Sequence, residues 1–240
     1  MPMKPNFEQL DFQKTHMGDL VLQRRTMLSL KGRDVYEVKL GESYLMSSLF
    51  HESEVALATI GLGELVGTGW DIVVGGLGLG YTAAAALKFK QVERLIVIEA
   101  LAPVIDWHRR GLVPNGNLLT LDGRCIYRHA DFFELARGDG FDPDADGTQF
   151  DAILLDIDHT PESWLHSSHA DLYSEDGLNR MKSFLKPRGI FALWSNDAPE
   201  EGFLQRLSAV FASAEGRKVQ FDNPLQQALA TNGVYIARCS

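Results

Sequence analysis

Apolar and polar positions follow two different periods along most of this chain. From Trp70 onward, short apolar runs typical of buried strands are each followed by a segment with helical spacing. The apolar runs lie at 71–74, 94–98, 125–127, 150–155 and 190–194, and the helical segments at 81–88, 103–110, 132–137, 177–185 and 201–212. Two late strands are predicted at 218–221 and 233–238. Strands that alternate with helices predict an α/β fold, with a parallel sheet covered by helices on both faces.

The first 50 residues have a different pattern. Tyr36, Val38 and Leu40 alternate with Glu37 and Lys39, which is the two-residue period of a half-buried strand. A helix over about 50–65 follows. The sequence therefore predicts a small N-terminal β unit over 1–50 and a larger α/β domain over 51–240.

A glycine-rich loop follows the first strand of the larger domain. Gly76, Gly78 and Gly80 form a G-x-G-x-G pattern, and Glu99 ends the next strand. Glycines let a ligand approach the backbone near a helix N-terminus, and an acidic residue at the next strand end can accept hydrogen bonds from ribose hydroxyls. The pattern predicts a Rossmann-like nucleoside site. It allows NAD, FAD or an S-adenosyl nucleotide, and the glycine spacing favours the last.

The third strand ends at a second candidate for nucleoside binding. Asp131 can accept a hydrogen bond from an adenine amino group, with Phe132 alongside the ring. Asp131 also stands just before a predicted helix, where it can serve as the N-cap. Both roles are compatible with each other.

Two further groups of polar residues are candidates for chemistry. Asp156, Asp158 and His159 follow the fourth strand, at the sheet edge where ligands bind in open α/β folds. A carboxylate there can hold a substrate ammonium and take its proton, although these residue types are also common in turns. His51 and Glu52 begin the helix after the β unit and are candidates for substrate binding.

Composition and charge exclude several classes of function. The net charge is −9 with 45% apolar residues, so general nucleic-acid binding is not expected, whereas cationic substrates are compatible. No apolar run is long enough for a membrane span, and the first six residues lack the apolar segment of a secretory signal. The two cysteines, Cys125 and Cys239, have no metal-ligand spacing. We expect a cytoplasmic protein without a metal.

Taken together, these residues resemble the polyamine aminopropyltransferases, the spermidine and spermine synthases. The resemblance spans most of the chain: 50–52, the glycine loop, 98–99, 130–131, 151–156, 172–174 and 185–187. It implies a β domain followed by a Rossmann-like S-adenosylmethionine-dependent transferase fold, usually dimeric. It also implies transfer of an aminopropyl group from decarboxylated S-adenosylmethionine to an amine such as putrescine, with release of methylthioadenosine. Glu99 is then expected on the ribose, Asp131 on the adenine and Asp156 near the amine.

The sequence departs from the family pattern in its site. Gly78 stands where the family has an Asp that pairs with the ammonium of the aminopropyl tail, and the family's second catalytic Asp is displaced to Asp158 or replaced by His159. The segment 159–171 has the character of a rebuilt substrate loop, with Trp164, His166 and His169 as candidates to line a pocket. A methyltransferase that uses ordinary S-adenosylmethionine, and a non-catalytic nucleoside- or polyamine-binding protein, therefore stay open as alternatives.

Overall fold

Two β-sheets make up the framework of the protein. The computed structural model describes residues 6–240, so the first five residues of the predicted β unit lie outside the described residues. The smaller sheet is an antiparallel meander in the order β1-β2-β3-β4. Its strands are β1 (Phe7–Thr15), β2 (Gly18–Met27), β3 (Arg33–Leu40) and β4 (Ser43–Ser47), and a short 3-10 helix (Leu28–Leu30) joins β2 to β3.

The larger sheet has seven strands in the order β10-β11-β9-β8-β5-β6-β7. Its strands are β5 (Trp70–Gly75), β6 (Val92–Glu99), β7 (Cys125–His129), β8 (Phe150–Leu155), β9 (Leu185–Ser195), β10 (Ser213–Asn223) and β11 (Ala228–Arg238). The first five pair in parallel, whereas β11 and β10 add an antiparallel edge. The predicted α/β fold class is confirmed.

Helices cover both faces of this sheet. They are α1 (Glu52–Gly63), α2 (Tyr81–Ala86), α3 (Ala102–Arg109), α4 (Gly116–Leu121), α5 (Phe132–Arg137), α6 (Glu175–Ser183) and α7 (Glu201–Val210), with a 3-10 helix at Ser167–Tyr173. Alternate strand residues enter opposite cores: Ile72 and Val74 pack on the α1–α2 side, and Val73 packs on the α5–α7 side. No helix within residues 6–240 is long and apolar enough to cross a membrane.

The strand order creates one crevice at the carboxyl edge of the sheet. Strand β5 pairs with β6 on one side and with β8 on the other. The chain therefore adds β6 and β7 on one side of β5 and the later strands on the other side. Ligands of open α/β sheets bind outside the strand ends at such a point. Gly75, Glu99 and Leu155 end the three strands, which places the glycine loop, Glu99 and Asp156 around the crevice.

Candidate active site

A cavity of about 400 Å³ lies at this carboxyl edge. The sheet supplies its floor through the glycine loop and the strand ends. The small N-terminal sheet supplies a wall, through His16 and Met17 in the β1–β2 turn and through Leu40, Leu45, Met46 and Ser47. The volume is in the range of small-molecule sites.

The glycine loop needs glycine at two positions for steric reasons. Gly76, Gly78 and Gly80 all have positive φ, at +94°, +50° and +83°. A Cβ on Gly76 would overlap the carbonyl oxygen of Asp156, and one on Gly80 would lie 2.6 Å from a Leu119 methyl carbon. A Cβ on Gly78 would instead meet only the Met46 side chain, with the sulfur at 3.4 Å, which is near ordinary contact. Gly78 is therefore the position of the loop where a side chain fits.

Two side chains hydrogen-bond to backbone carbonyls of this loop. Sequence reasoning missed both of them. His108 Nε2 lies 3.0 Å from the Gly78 carbonyl oxygen, and Asn115 donates to the Leu79 carbonyl at 2.9 Å. His108 is fully buried, and burial lowers its pKa to about 4. The neutral ring therefore donates from Nε2, while its Nδ1 has no partner within the described residues. Both residues lie 30 or more positions from their partners, so no local motif marks them.

Glu99 is oriented by backbone amides at the end of β6. Its two oxygens accept from Leu77 N–H at 3.1 Å and Leu101 N–H at 2.8 Å. Burial raises the pKa of this carboxyl, and the backbone hydrogen bonds oppose that rise. A carboxylate has about four lone-pair sites, so Glu99 retains acceptor capacity toward the cavity that it lines.

Asp131 caps α5 and also lines the cavity. Its Oδ1 accepts from Phe133 N–H at 2.7 Å and Glu134 N–H at 3.1 Å, whereas Oδ2 has no hydrogen-bond partner within residues 6–240. Phe132 is buried beneath, stacked on Phe141 with centroids 4.8 Å apart. The capping geometry leaves one oxygen of Asp131 for a ligand.

A second carboxylate meets Asp156 in the cavity. Asp156 follows β8 and accepts from the Thr82 hydroxyl at 2.7 Å, and Glu54 of α1 lines the same cavity. Burial raises the pKa of both groups, and the negative charge of Asp156 raises that of Glu54 further. Two carboxyls that disfavour each other's ionisation share protons near neutral pH. Sequence reasoning missed Glu54.

His51 and Glu52 do not line the cavity. Glu52 is exposed and accepts from the His51 backbone N–H at 2.9 Å, and the His51 ring stacks on Tyr81 at 4.2 Å. The helix begins at Glu52, so the residue that its first turn aims inward is Glu54. Glu54, two positions after Glu52, thus occupies the place in the cavity that was expected for Glu52.

Asp158 and His159 are separated by the loop after β8. Asp158 is buried outside the cavity lining, where it accepts from Leu165 N–H, His169 Nδ1 and the Tyr173 hydroxyl, each at 2.8 Å. His159 is exposed at the cavity rim. Asp158 therefore holds the loop together.

The loop held by Asp158 adds a histidine to the cavity. The His169 ring lies flat on Phe133, with centroids 3.6 Å apart, and both residues line the cavity. Of the other two loop residues predicted for a pocket, Trp164 donates to the Pro161 carbonyl and His166 caps the 3-10 helix. Neither is a lining residue.

The cavity is acidic. Four carboxylates line it, and no lysine or arginine does so among the described residues; the four are Glu54, Glu99, Asp131 and Asp156. No cluster of three potential metal ligands occurs in the described part of the chain either. The arrangement suits a cationic ligand that also offers hydrogen-bond donors.

Solved structures share this architecture. No protein-family model matches the chain, and no curated protein matches it by sequence. Spermidine synthase from Thermotoga maritima superimposes with a TM-score of 0.72 at 18% identity, over 97% of this chain and 73% of that one. The chain has the fold of spermidine synthases. A spermidine synthase in complex with the transition-state analogue AdoDATO gives a TM-score of 0.73 at 18% identity, over 97% and 74% of the two chains.

The predicted resemblance is thus confirmed at the level of the fold. The four-stranded sheet and the Rossmann-like sheet match those structures over nearly the whole chain. The assignment of individual residues to a donor or an acceptor stays a prediction, as do the domain boundary at residue 50, the homodimer and the cytoplasmic location.

Proposed function

We propose that this protein is a transferase that moves an aminopropyl group from decarboxylated S-adenosylmethionine to an amine of the putrescine class. The observation that carries the proposal is the Glu54–Asp156 carboxyl pair in a cavity lined by no lysine or arginine among residues 6–240. Both co-substrates are cationic, and such a cavity favours cations. The fold shared with spermidine synthases supports the same conclusion.

The residues around the glycine loop fit a nucleoside. Glu99 retains acceptor capacity for ribose hydroxyls, and Asp131 Oδ2 is available for an amino group of the base. The absence of a side chain at Gly76 lets the loop pass close to the backbone of Asp156, where a Cβ would overlap the carbonyl oxygen. We assign Glu99 to the ribose and Asp131 to the adenine.

The carboxyl pair suits the acceptor amine. An alkylammonium must lose a proton before its nitrogen can attack, and a carboxylate with a raised pKa is a better proton acceptor. The nitrogen lone pair then forms a bond to the methylene carbon beside the sulfonium. The carbon–sulfur bond breaks, its electron pair stays on sulfur, and methylthioadenosine leaves. The carboxylates hold the reacting nitrogen in line for this displacement.

A methyltransferase that uses ordinary S-adenosylmethionine is the second candidate, and one observation favours it. Gly78 carries no carboxylate, and the nearest atom to its missing side chain is the Met46 sulfur. The repulsion that an Asp there would exert on the carboxylate of S-adenosylmethionine is therefore lost. Such an enzyme would release S-adenosylhomocysteine.

Calorimetric titration distinguishes these functions. The purified protein is titrated with methylthioadenosine and, separately, with S-adenosylhomocysteine. We expect tighter binding of methylthioadenosine, because no cationic side chain among the lining residues pairs with the carboxylate of the second ligand. Preference for S-adenosylhomocysteine would support the methyltransferase. Absence of binding by either at millimolar concentration would contradict both.

A further inference from the structure

One hydrogen-bond chain reaches Glu54 from the edge of the cavity. The Trp194 indole donates to Ser53 Oγ at 2.9 Å, and Ser53 Oγ donates to Glu54 Oε2 at 3.0 Å. Ser53 is buried at 2% exposure, whereas Trp194 and Glu54 line the cavity. Trp194 belongs to β9, 141 positions from Ser53, so the chain exists only in the folded protein.

The chemistry of the three groups fixes the direction of this chain. An indole N–H can only donate, and a serine hydroxyl has one hydrogen to donate. Since Ser53 accepts from Trp194, its own hydrogen is directed at Glu54 Oε2. Oε1 carries no side-chain hydrogen bond within the described residues, so it is the oxygen left open to a proton from a substrate.

Asp156 is held in a different way. It accepts from Thr82, and this hydrogen bond favours its ionised form, whereas the charges of Asp156 and Glu52 raise the pKa of Glu54. Among residues 6–240, Tyr81 is the other titratable group that interacts with Glu54. Neighbouring negative charge thus favours a proton on Glu54, and the Thr82 hydroxyl favours an ionised Asp156 beside an ammonium.

We propose that Glu54 is the catalytic residue that takes the proton of the attacking amine at Oε1, and that Ser53 and Trp194 are positioning residues that reserve this oxygen. The inference rests on the proposed aminopropyl transfer. The proton moves from the substrate ammonium to the Glu54 carboxylate, and the neutral amine then forms the carbon–nitrogen bond while the carbon–sulfur bond breaks. Asp156 stays ionised and holds the amine.

Rates and pH profiles with decarboxylated S-adenosylmethionine and putrescine test this division of roles. Glu54→Gln should lower kcat by about 100-fold or more, the range for loss of a general base, and leave methylthioadenosine affinity unchanged. Asp156→Asn should raise KM for the amine more than it lowers kcat. Glu175→Gln, on the exposed surface of α6, is the matched control and should retain the wild-type rate.

The positioning residues are tested by the acidic limb of the kcat profile. Ser53→Ala removes a hydrogen bond to the ionised form of Glu54, so the limb should move to higher pH by about one unit. Ser53→Thr should restore it, and Trp194→Phe should shift it by less in the same direction. Ser183→Ala, also on the surface of α6, should leave it in place. Methylthioadenosine affinity confirms that each variant is folded.

The possible failures are distinguishable. A wild-type rate in Glu54→Gln, or an unshifted limb in both Ser53→Ala and Trp194→Phe, would overturn the inference and leave aminopropyl transfer intact. A kcat effect confined to Asp156→Asn would assign the proton to Asp156 instead. No methylthioadenosine from the wild-type protein would overturn the proposed function and this inference together.

Discussion

Single residues of the glycine loop differ sharply in what they tolerate. Gly76 combines a φ of +94° with a missing Cβ that would overlap backbone, whereas Gly78 has a φ of +50° and an ordinary neighbour. At Gly76 any other residue would be strained. At Gly78 the backbone has a left-handed conformation that Asn and Asp adopt more readily than most residues. The loop can therefore change its chemistry at Gly78 without changing its path.

This contrast predicts the behaviour of two alanine variants. Gly76→Ala should destabilise the fold by about 1–3 kcal/mol, because the Cβ meets a carbonyl oxygen that cannot rotate away. Gly78→Ala should cost less than Gly76→Ala, and serves as the control. Denaturant unfolding of both variants measures the difference. Equal stability of the two would contradict the steric account.

Glu99 gives a prediction about binding. Glu99→Ala should weaken methylthioadenosine binding by about 1–3 kcal/mol, the cost of losing hydrogen bonds to a buried charged group. Glu134→Ala, on the exposed side of α5, should leave the affinity unchanged. Calorimetry measures both. Wild-type affinity in the Glu99 variant would remove this residue from the nucleoside site.

The sequence predicts those site residues that lie at the end of a recognisable apolar strand. Glu99 ends a strand, Asp131 and Asp156 follow strands, and each of the three lines the cavity. Glu54 has no such mark, because its place depends on the packing of α1 against α2 and β9. Asp158 has the right local position, but three donors from its own loop turn it away from the cavity.

At the scale of elements, the glycine loop depends on the helices behind it. His108 of α3 and Asn115, the residue before α4, bind the carbonyls of two successive loop residues. These helices are thus part of the support of the nucleoside site. His108 is neutral in this position because burial lowers its pKa, although its hydrogen bond to the Gly78 carbonyl opposes that change.

Acid should therefore destabilise the protein through His108. The pKa of His108 is about 4 in the folded protein and 6.5 as its ordinary value, so the unfolded chain binds the additional proton between these pH values. The stabilisation is present above pH 6.5 and is lost as pH falls toward 4, by up to about 3 kcal/mol. Tm measured from pH 7 to 4 should fall less in His108→Gln than in the wild type.

An exposed histidine provides the control for this experiment. His129→Gln, at the end of β7, should keep the wild-type pH dependence. Identical slopes in His108→Gln and the wild type would show that His108 does not contribute.

The sequence pattern predicts buried elements with long apolar runs better than it predicts exposed or short elements. Strand β8 has the predicted bounds 150–155, because both of its faces are buried. The pattern missed β1, most of whose residues are exposed, and the short helix α4. Strand β9 begins at Leu185, inside the region predicted to be helical, and contains Pro187. Pairing with neighbouring strands decides the two strands, β1 and β9, and the local pattern does not contain this pairing.

At the scale of the whole molecule, the cavity and the chain as a whole both carry negative charge. The net charge is −9, and four carboxylates without an opposing lysine or arginine line the cavity described above. The negative field favours approach of a cationic substrate and is weakened by salt. The charges of Asp156 and Glu52 also raise the pKa of Glu54.

Amine binding should consequently release protons. The pKa values of Glu54 and Asp156 are both raised, so the pair holds a proton near neutral pH, and a bound dication favours the ionised forms. Calorimetry of putrescine binding in Tris and in phosphate should give different heats. The difference equals the number of protons released multiplied by the difference between the ionisation enthalpies of the two buffers. Glu54→Gln should reduce that difference. Identical heats in both buffers for the wild type would contradict the coupling.

The central claim is aminopropyl transfer, and product analysis tests it most directly. The purified protein is incubated with putrescine and either decarboxylated or ordinary S-adenosylmethionine, and the nucleoside and amine products are identified by mass spectrometry. We predict equal amounts of methylthioadenosine and aminopropylated amine from the decarboxylated donor, and no product from the ordinary donor. S-adenosylhomocysteine from the ordinary donor, or no product from either, would contradict the account.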